Sequence, residues 1–222
     1  MKWLFLLYLP LFSTAQNGDT MHHTYSYLAF GDSYTIGEGL LLHQNFPYQT
    51  VSLLRKEGYD FSAPEIIAKT GWTTGDLEAA IQDHTLSSKY DFVSLLIGVN
   101  NQYRGQNILE YKNQFERLLK KSIALANNKP DHVLVISIPD YSFTPFGQAL
   151  KADKITKEID EYNTLNKALS IQYKTHYTDI TDSTRKIKNN PSLVASDGLH
   201  PSAKEYEKWA KKLVEIMKAQ IK

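Results

Sequence analysis

Residues 91–97 and 132–138 are dominated by apolar side chains that do not alternate with polar ones, and each run stops at a chain breaker, Gly98 or Pro139. A strand with one wet face alternates apolar and polar residues, whereas an unbroken apolar run of this length suits a strand covered on both faces. Strands of that kind lie in parallel sheets, and parallel neighbours need a crossover between them, usually a helix. This restricts the chain to an α/β architecture before any motif is considered.

The remaining sequence supplies the crossovers. Residues 25–30 form a short β-rich run that ends in Gly31-Asp32-Ser33, and residues 65–69 and 176–180 add two short strands, making five. Pro47 opens a helix in which Tyr48, Val51 and Leu54 share a face, with Gly58 as the stop. Thr74 is placed to cap a helix reaching about Gln82, with Asp76 and Glu78 facing the positive end of its dipole. Helical spacing also joins Ile108, Tyr111, Phe115, Leu118, Leu119 and Leu125; then Ile155, Ile159, Tyr162, Leu165 and Leu169; then Tyr206, Trp209, Leu213, Ile216 and Met217. Ser202 and Glu205 read as a capping-box pair in front of that last stripe. No repeat, linker or low-complexity stretch interrupts residues 25–222, so they are expected to form one doubly wound domain. The expected fold is a three-layer sandwich with a five-stranded parallel sheet flanked by helices.

The N-terminus reads as an address. Lys2 precedes an uncharged apolar run over 3–12, followed by Ser13, Thr14 and Ala15. That is the layout of a secretory signal peptide, and the run is short for a bilayer span. Residues 1–15 are therefore expected to be a cleaved signal, residues 16–24 a flexible leader, and the protein secreted or periplasmic. Cleavage after Ala15 leaves as many acidic as basic residues, because Lys2 is the one charge removed. His22 and His23 lack an acidic or thiol partner at ligand spacing and read as solvated polar residues rather than a metal site.

Composition excludes several classes. The 222 residues contain 25 Lys+Arg, 24 Asp+Glu and no Cys. A formal charge of +1 argues against nucleic acid or an anionic membrane surface as the main partner. The lack of cysteine removes disulfides, thiolate metal sites and a cysteine nucleophile.

In a doubly wound sheet, sites form at the carboxyl ends of the strands. Four polar features fall there. Ser33 follows the first strand, where it is either a helix cap in a turn or an exposed nucleophile that needs a base. Thr35 breaks the Gly-x-Ser-x-Gly pattern of a nucleophile elbow. Asp197 and His200 are three apart around Gly198, either as a surface turn or as a carboxylate holding an imidazole through Nδ1. Asn100, in Gly98-Val99-Asn100, is a turn residue or an amide donor into the site. Gly71 is a kink or an unobstructed backbone N–H donor. Serine, an Asp-backed histidine and two donors together make the parts of an acyl-transfer site with an oxyanion hole.

Gly31-Asp32-Ser33, Gly71, Gly98-x-Asn100 and Asp197-x-x-His200 stand in the block order of the SGNH (GDSL) hydrolase superfamily, which this chain resembles from its first strand to its last helix. The resemblance implies a five-stranded parallel sheet between helices, with Ser33 as nucleophile, His200 as general base and acid, and Asp197 as its orienting partner. It implies an oxyanion hole made of the Ser33 N–H, the Gly71 N–H and the Asn100 amide, and neither metal nor organic cofactor. The third block departs from the family's frequent Gly-x-Asn-Asp, since Asn101 stands in the last place. Asn keeps an acceptor and adds donors, so altered loop packing is expected rather than lost catalysis.

The expected activity is serine ester hydrolysis through an acyl-enzyme, on short-acyl and carbohydrate-linked esters. The alternatives are a lysophospholipase or thioesterase acting on lipids, acyl transfer to a sugar, and a glycan- or lipid-binding module without catalysis. Candidate walls are Glu38 with Leu40, Leu41 and Leu42; Gln102, Tyr103 and Arg104; and the run from Tyr141 to Phe146.

Overall fold

The computed structural model describes residues 23–221. The segment expected to be a signal peptide, 1–15, and most of the expected leader, 16–24, lie outside the described residues.

Five strands form one all-parallel sheet. They are Tyr27–Gly31 (β1), Glu65–Ala68 (β2), Phe92–Leu96 (β3), Val133–Ile136 (β4) and His176–Thr178 (β5), in spatial order β2-β1-β3-β4-β5. Every residue of β1, β3 and β4 is buried, as the unbroken apolar runs predict, while the edge strands β2 and β5 are partly exposed. The polar exception in β3, Ser94, is satisfied across the sheet by the Tyr27 hydroxyl at 2.8 Å.

The longer helices are Phe46–Lys56 (α2), Thr74–Asp83 (α3), Ile108–Leu125 (α5), Ala152–Tyr173 (α7) and Ala203–Gln220 (α9). The short ones are Ser33–Ile36 (α1), Val99–Tyr103 (α4), Pro145–Gln148 (α6) and Thr181–Arg185 (α8). Helices α2 and α9 pack together, and α5 packs between α3 and α7, so the sheet is sandwiched between two helical layers. Phe46 of α2 meets Trp209 of α9 with ring centroids 6.0 Å apart, both fully buried.

Two caps differ from the sequence expectation. Thr73, not Thr74, caps α3: it accepts from the Asp76 N–H while Asp76 accepts from the Thr73 N–H, so the capping box is set by the threonine three residues before the acid. At α9, Ser202 does accept from the Glu205 N–H, but Glu205 does not reach back. Its carboxylate is buried and accepts from the Trp209 indole at 2.9 Å and the Lys208 ammonium at 2.8 Å. The start of the domain is also tied down: His23 bonds Asp91 at 2.8 Å, and Tyr25 bridges to Phe61.

The strand order reverses between β1 and β3, the switch point where a doubly wound sheet leaves a crevice. Register brings the sequence blocks to that crevice. Gly31 at the end of β1 pairs with Ala68 on one side and Leu96 on the other. Ser33, Gly71 and Asn100 therefore leave three adjacent strands at one edge.

Candidate active site

β1 passes into α1 through a tight corner. A Cβ on Gly31 would fall 2.0 Å from Thr35 Oγ1 and 2.6 Å from the Leu96 carbonyl oxygen, so glycine is required there for space. Asp32 caps α1 by accepting from the Tyr34 N–H at 3.0 Å. Its carboxyl is fully buried, and burial pushes its pKa up from 3.8 to about 7, with hydrogen bonds from the Tyr34 amide and its own amide partly opposing. Ser33 is the first residue of α1 and is buried at the corner.

His200 closes the crevice from the loop before α9. Its Nδ1 lies 2.7 Å from Asp197 Oδ2, and the other carboxylate oxygen accepts the Leu199 and His200 amides at 2.9 and 3.0 Å. One carboxylate thus holds both the ring and the turn, and leaves Nε2 directed away from Asp197. Burial raises the Asp197 pKa, but the hydrogen bonds from the His200 ring and the two amides outweigh it and hold the carboxyl below its ordinary value. Tyr34 packs edge-on against the imidazole, with centroids 5.4 Å apart.

Asn100 sits in the first turn of α4. Gly98 starts that helix at φ +131°, a conformation that L side chains rarely adopt, and a Cβ there would meet the Tyr111 hydroxyl at 2.6 Å. The Asn100 amide donates one hydrogen to the Trp72 carbonyl at 2.9 Å, and its NH₂ has a second. Asn101 is fully buried: its Oδ1 accepts from the Thr74 N–H at 3.1 Å, and its Nδ2 donates to Thr74 Oγ1 at 2.7 Å and Gln106 Oε1 at 2.8 Å. The donation to Gln106 uses the amide that an aspartate lacks.

Ser33, Asn100 and His200 line one cavity of about 250 Å³. Asp197 supports it from behind His200. Gly71, at φ +81°, is not in its lining and reaches the same edge through the bond from Asn100 to Trp72. No hydrogen bond joins Ser33 Oγ to His200 among the described residues, and in ligand-free sites such bonds are often long and tighten with substrate. The rest of the wall is apolar and aromatic. Tyr103, Tyr141 and Phe146 form a triangle with centroids 6.3–6.4 Å apart. Tyr141 is buried and its hydroxyl donates to Gln102, which in turn donates to Glu158. Tyr103 and Phe146 are 58% and 39% exposed at the mouth. The Phe146 N–H donates to the Gly198 carbonyl at 3.0 Å, fastening this wall to the histidine loop. Among the other candidate walls, Leu41 and Leu42 are 65% and 57% exposed and line no part of the cavity. Glu38 bonds Thr70 instead. Gln102 and Arg104, both candidate walls in the sequence, stand behind the lining instead: Gln102 accepts from Tyr141, and Arg104 donates to the Gly71 carbonyl.

A switch-point crevice between the first and third strands is where doubly wound α/β proteins place their sites, and the chemistry is set by the residues in it rather than by the sheet. Residues 29–208 match the GDSL-like Lipase/Acylhydrolase family, and the chain belongs to it. No curated protein matches the chain in sequence. Among solved structures it is similar to TesA (TM-score 0.70, 19% identity, 88% of this chain and 99% of that one). It is also similar to Axe2, an acetylxylan esterase from Geobacillus stearothermophilus (TM-score 0.70, 18% identity, 89% and 96%). A third is the lipase/acylhydrolase from Enterococcus faecalis (TM-score 0.72, 18% identity, 90% and 98%). These similarities carry the fold. Among the described residues, no helix is long and apolar enough to cross a membrane.

Proposed function

We propose that the protein is an exported serine esterase that cleaves short-acyl esters, carbohydrate-linked ones among them, through an acyl-enzyme. The observation that carries this reading is the meeting of Ser33, Asn100 and His200 in one small cavity, with Asp197 bonded to the far nitrogen of the imidazole.

In this reading His200 Nε2 takes the Ser33 hydroxyl proton as Oγ attacks the ester carbonyl carbon. The carbonyl electrons move onto oxygen, where the Ser33 and Gly71 amides and the second Asn100 hydrogen stabilise the charge. Collapse breaks the bond to the alcohol oxygen, which leaves with the proton from His200. Water, deprotonated by the same nitrogen, then attacks the acyl-serine, and acid departs as Ser33 regains its proton. Asp197 holds the tautomer that presents a free Nε2. A cavity of about 250 Å³ lies at the small end of ligand sites and suits a short acyl group. The half-exposed Tyr103 and Phe146 rings offer faces on which a sugar alcohol can stack. The apolar lining by Val99, Leu199 and Phe146 favours a second reading, a lipid acyl chain in the same cavity. Export rests on the signal-like segment over 1–15, and N-terminal sequencing of protein recovered outside the cytoplasm tests it.

The test is to compare initial rates on p-nitrophenyl acetate and p-nitrophenyl octanoate for the wild type and Ser33→Ala, with fluorophosphonate labelling alongside. Acetate turnover and labelling that vanish in Ser33→Ala are expected. Preference for octanoate would move the substrate to lipids. A wild type that neither labels nor cleaves would leave a binding module.

A further inference from the structure

Gly71 is a glycine in the left-handed region, at φ +81°, on a loop between β2 and α3. Glycine loses more conformational freedom on ordering than any other residue, so its conformation must be held by something other than its own side chain. A turn bond from the Trp72 N–H to the Lys69 carbonyl at 3.2 Å encloses it, and Thr70 bonds Glu38. The side chains that grip the loop from the other flank come from α4 and the residue that ends it. Asn100 donates to the Trp72 carbonyl at 2.9 Å, Asn101 bonds the Thr74 amide and hydroxyl, and Arg104 Nη2 donates to the Gly71 carbonyl at 2.6 Å. The second arm of the same guanidinium, Nη1, lies 3.7 Å from Asp76, the acid of the α3 capping box. Arg104 therefore spans from the glycine to the anchored start of α3. Lysine, a single point charge, does not reproduce a two-armed contact.

As an ion pair this contact matters little, since Arg104 and Asp76 side chains are 50% and 46% exposed and such pairs are weak. As a grip on a backbone carbonyl it matters more. Among the described residues, Arg104 supplies the side-chain hydrogen bond to Gly71, and the Gly71 N–H has no partner.

We infer that Arg104 is a positioning residue for the oxyanion hole: it holds Gly71 in the conformation from which its N–H meets the charged oxygen formed when Ser33 attacks. The inference rests on the serine-esterase reading above. It separates Arg104 from a surface arginine by one property, that its loss should weaken the transition state and leave substrate binding alone.

The experiment uses the full chain with p-nitrophenyl acetate and compares wild type, Arg104→Ala, Arg104→Lys and the surface control Arg117→Ala, which bonds Glu78 and no residue of the 70–73 loop. Removing an oxyanion donor outright costs about 10²–10³ in kcat, so loosening one should cost about tenfold or more. Expected results are a fall of that size in kcat for Arg104→Ala with KM unchanged, little recovery in Arg104→Lys, and partial restoration of Arg104→Ala by tens of millimolar guanidinium. Hydrogen exchange over residues 70–73 should quicken while Tm holds. Arg117→Ala should match wild type. An unchanged kcat, a loss confined to KM, or unchanged exchange over 70–73 overturns the role. Wild type that cleaves no ester overturns the esterase reading and this role with it, whereas an active wild type with an equally active Arg104→Ala overturns the positioning role alone.

Discussion

The buried carboxyl beside the serine should make stability depend on pH in a direction opposite to that of most acids. Asp32 is fully buried, and its pKa stands at about 7 against an ordinary 3.8. A carboxyl with a raised folded-state pKa binds its proton more tightly when folded. Its contribution to stability is present in full below pH 3.8 and is lost as the pH rises to about 7, where the folded chain must carry a buried charge. At 1.36 kcal/mol per pKa unit, the loss is at most about 4 kcal/mol. Asp32→Asn removes the titration and keeps the acceptor that caps α1, because Asn is as good an N-cap as Asp. Its new NH₂ adds a desolvation cost of about 1–3 kcal/mol that does not vary with pH. The variant's stability minus the wild type's should therefore climb by up to about 4 kcal/mol between pH 4 and pH 8, whatever the offset. Urea unfolding at one-unit pH steps reads this. With a slope near 2 kcal/mol/M, the midpoints should separate by up to about 2 M across the range. A difference that stays flat with pH, or falls, refutes the assignment of a buried, protonated Asp32.

Three further outcomes follow from the same corner and its donors. Gly31→Ala sets a methyl against the Leu96 backbone oxygen, which cannot swing away, and should cost about 1–3 kcal/mol or more; a melting temperature within a degree of wild type would contradict the packing. Thr35→Val replaces a buried hydroxyl without a partner among the described residues by a methyl, and should raise stability by about 1 kcal/mol in a thermal melt. Asn100→Ala should lower kcat on p-nitrophenyl acetate about 10²–10³-fold with the fold intact by circular dichroism, and an unchanged kcat would remove Asn100 from the oxyanion hole.

What the sequence could carry is set by how local each signal is. The runs that became β3 and β4 are legible because burial on both faces suppresses alternation, and the stripes of α5, α7 and α9 because one face of each meets the sheet. The cap of α3 is misplaced by one because Thr73 and Thr74 are both competent caps, and the choice falls to the one three residues before Asp76. The capping box at α9 fails for a reason outside its own four residues: the Trp209 indole N–H is buried, needs an acceptor, and turns Glu205 inward. The serine, the asparagine and the Asp197–His200 pair are legible because each block ends a strand or opens a helix. The walls of the cavity are not. Leu41-Leu42 and the run from Tyr141 to Phe146 are both candidate walls in the sequence, and only the latter reaches the cavity, through Tyr141 and Phe146. It is anchored by Asp140, which accepts from Ser142 and from Arg185, 45 residues away in the chain. Arg104 repeats the lesson inside the site. Its neighbour in function, Gly71, is 33 residues upstream, and the two meet only because α4 leaves β3 beside the loop that leaves β2. In a doubly wound sheet the residues that react are written at strand ends, where local pattern exposes them. The residues that aim them are chosen by the crossovers, whose contacts no spacing rule along the chain encodes.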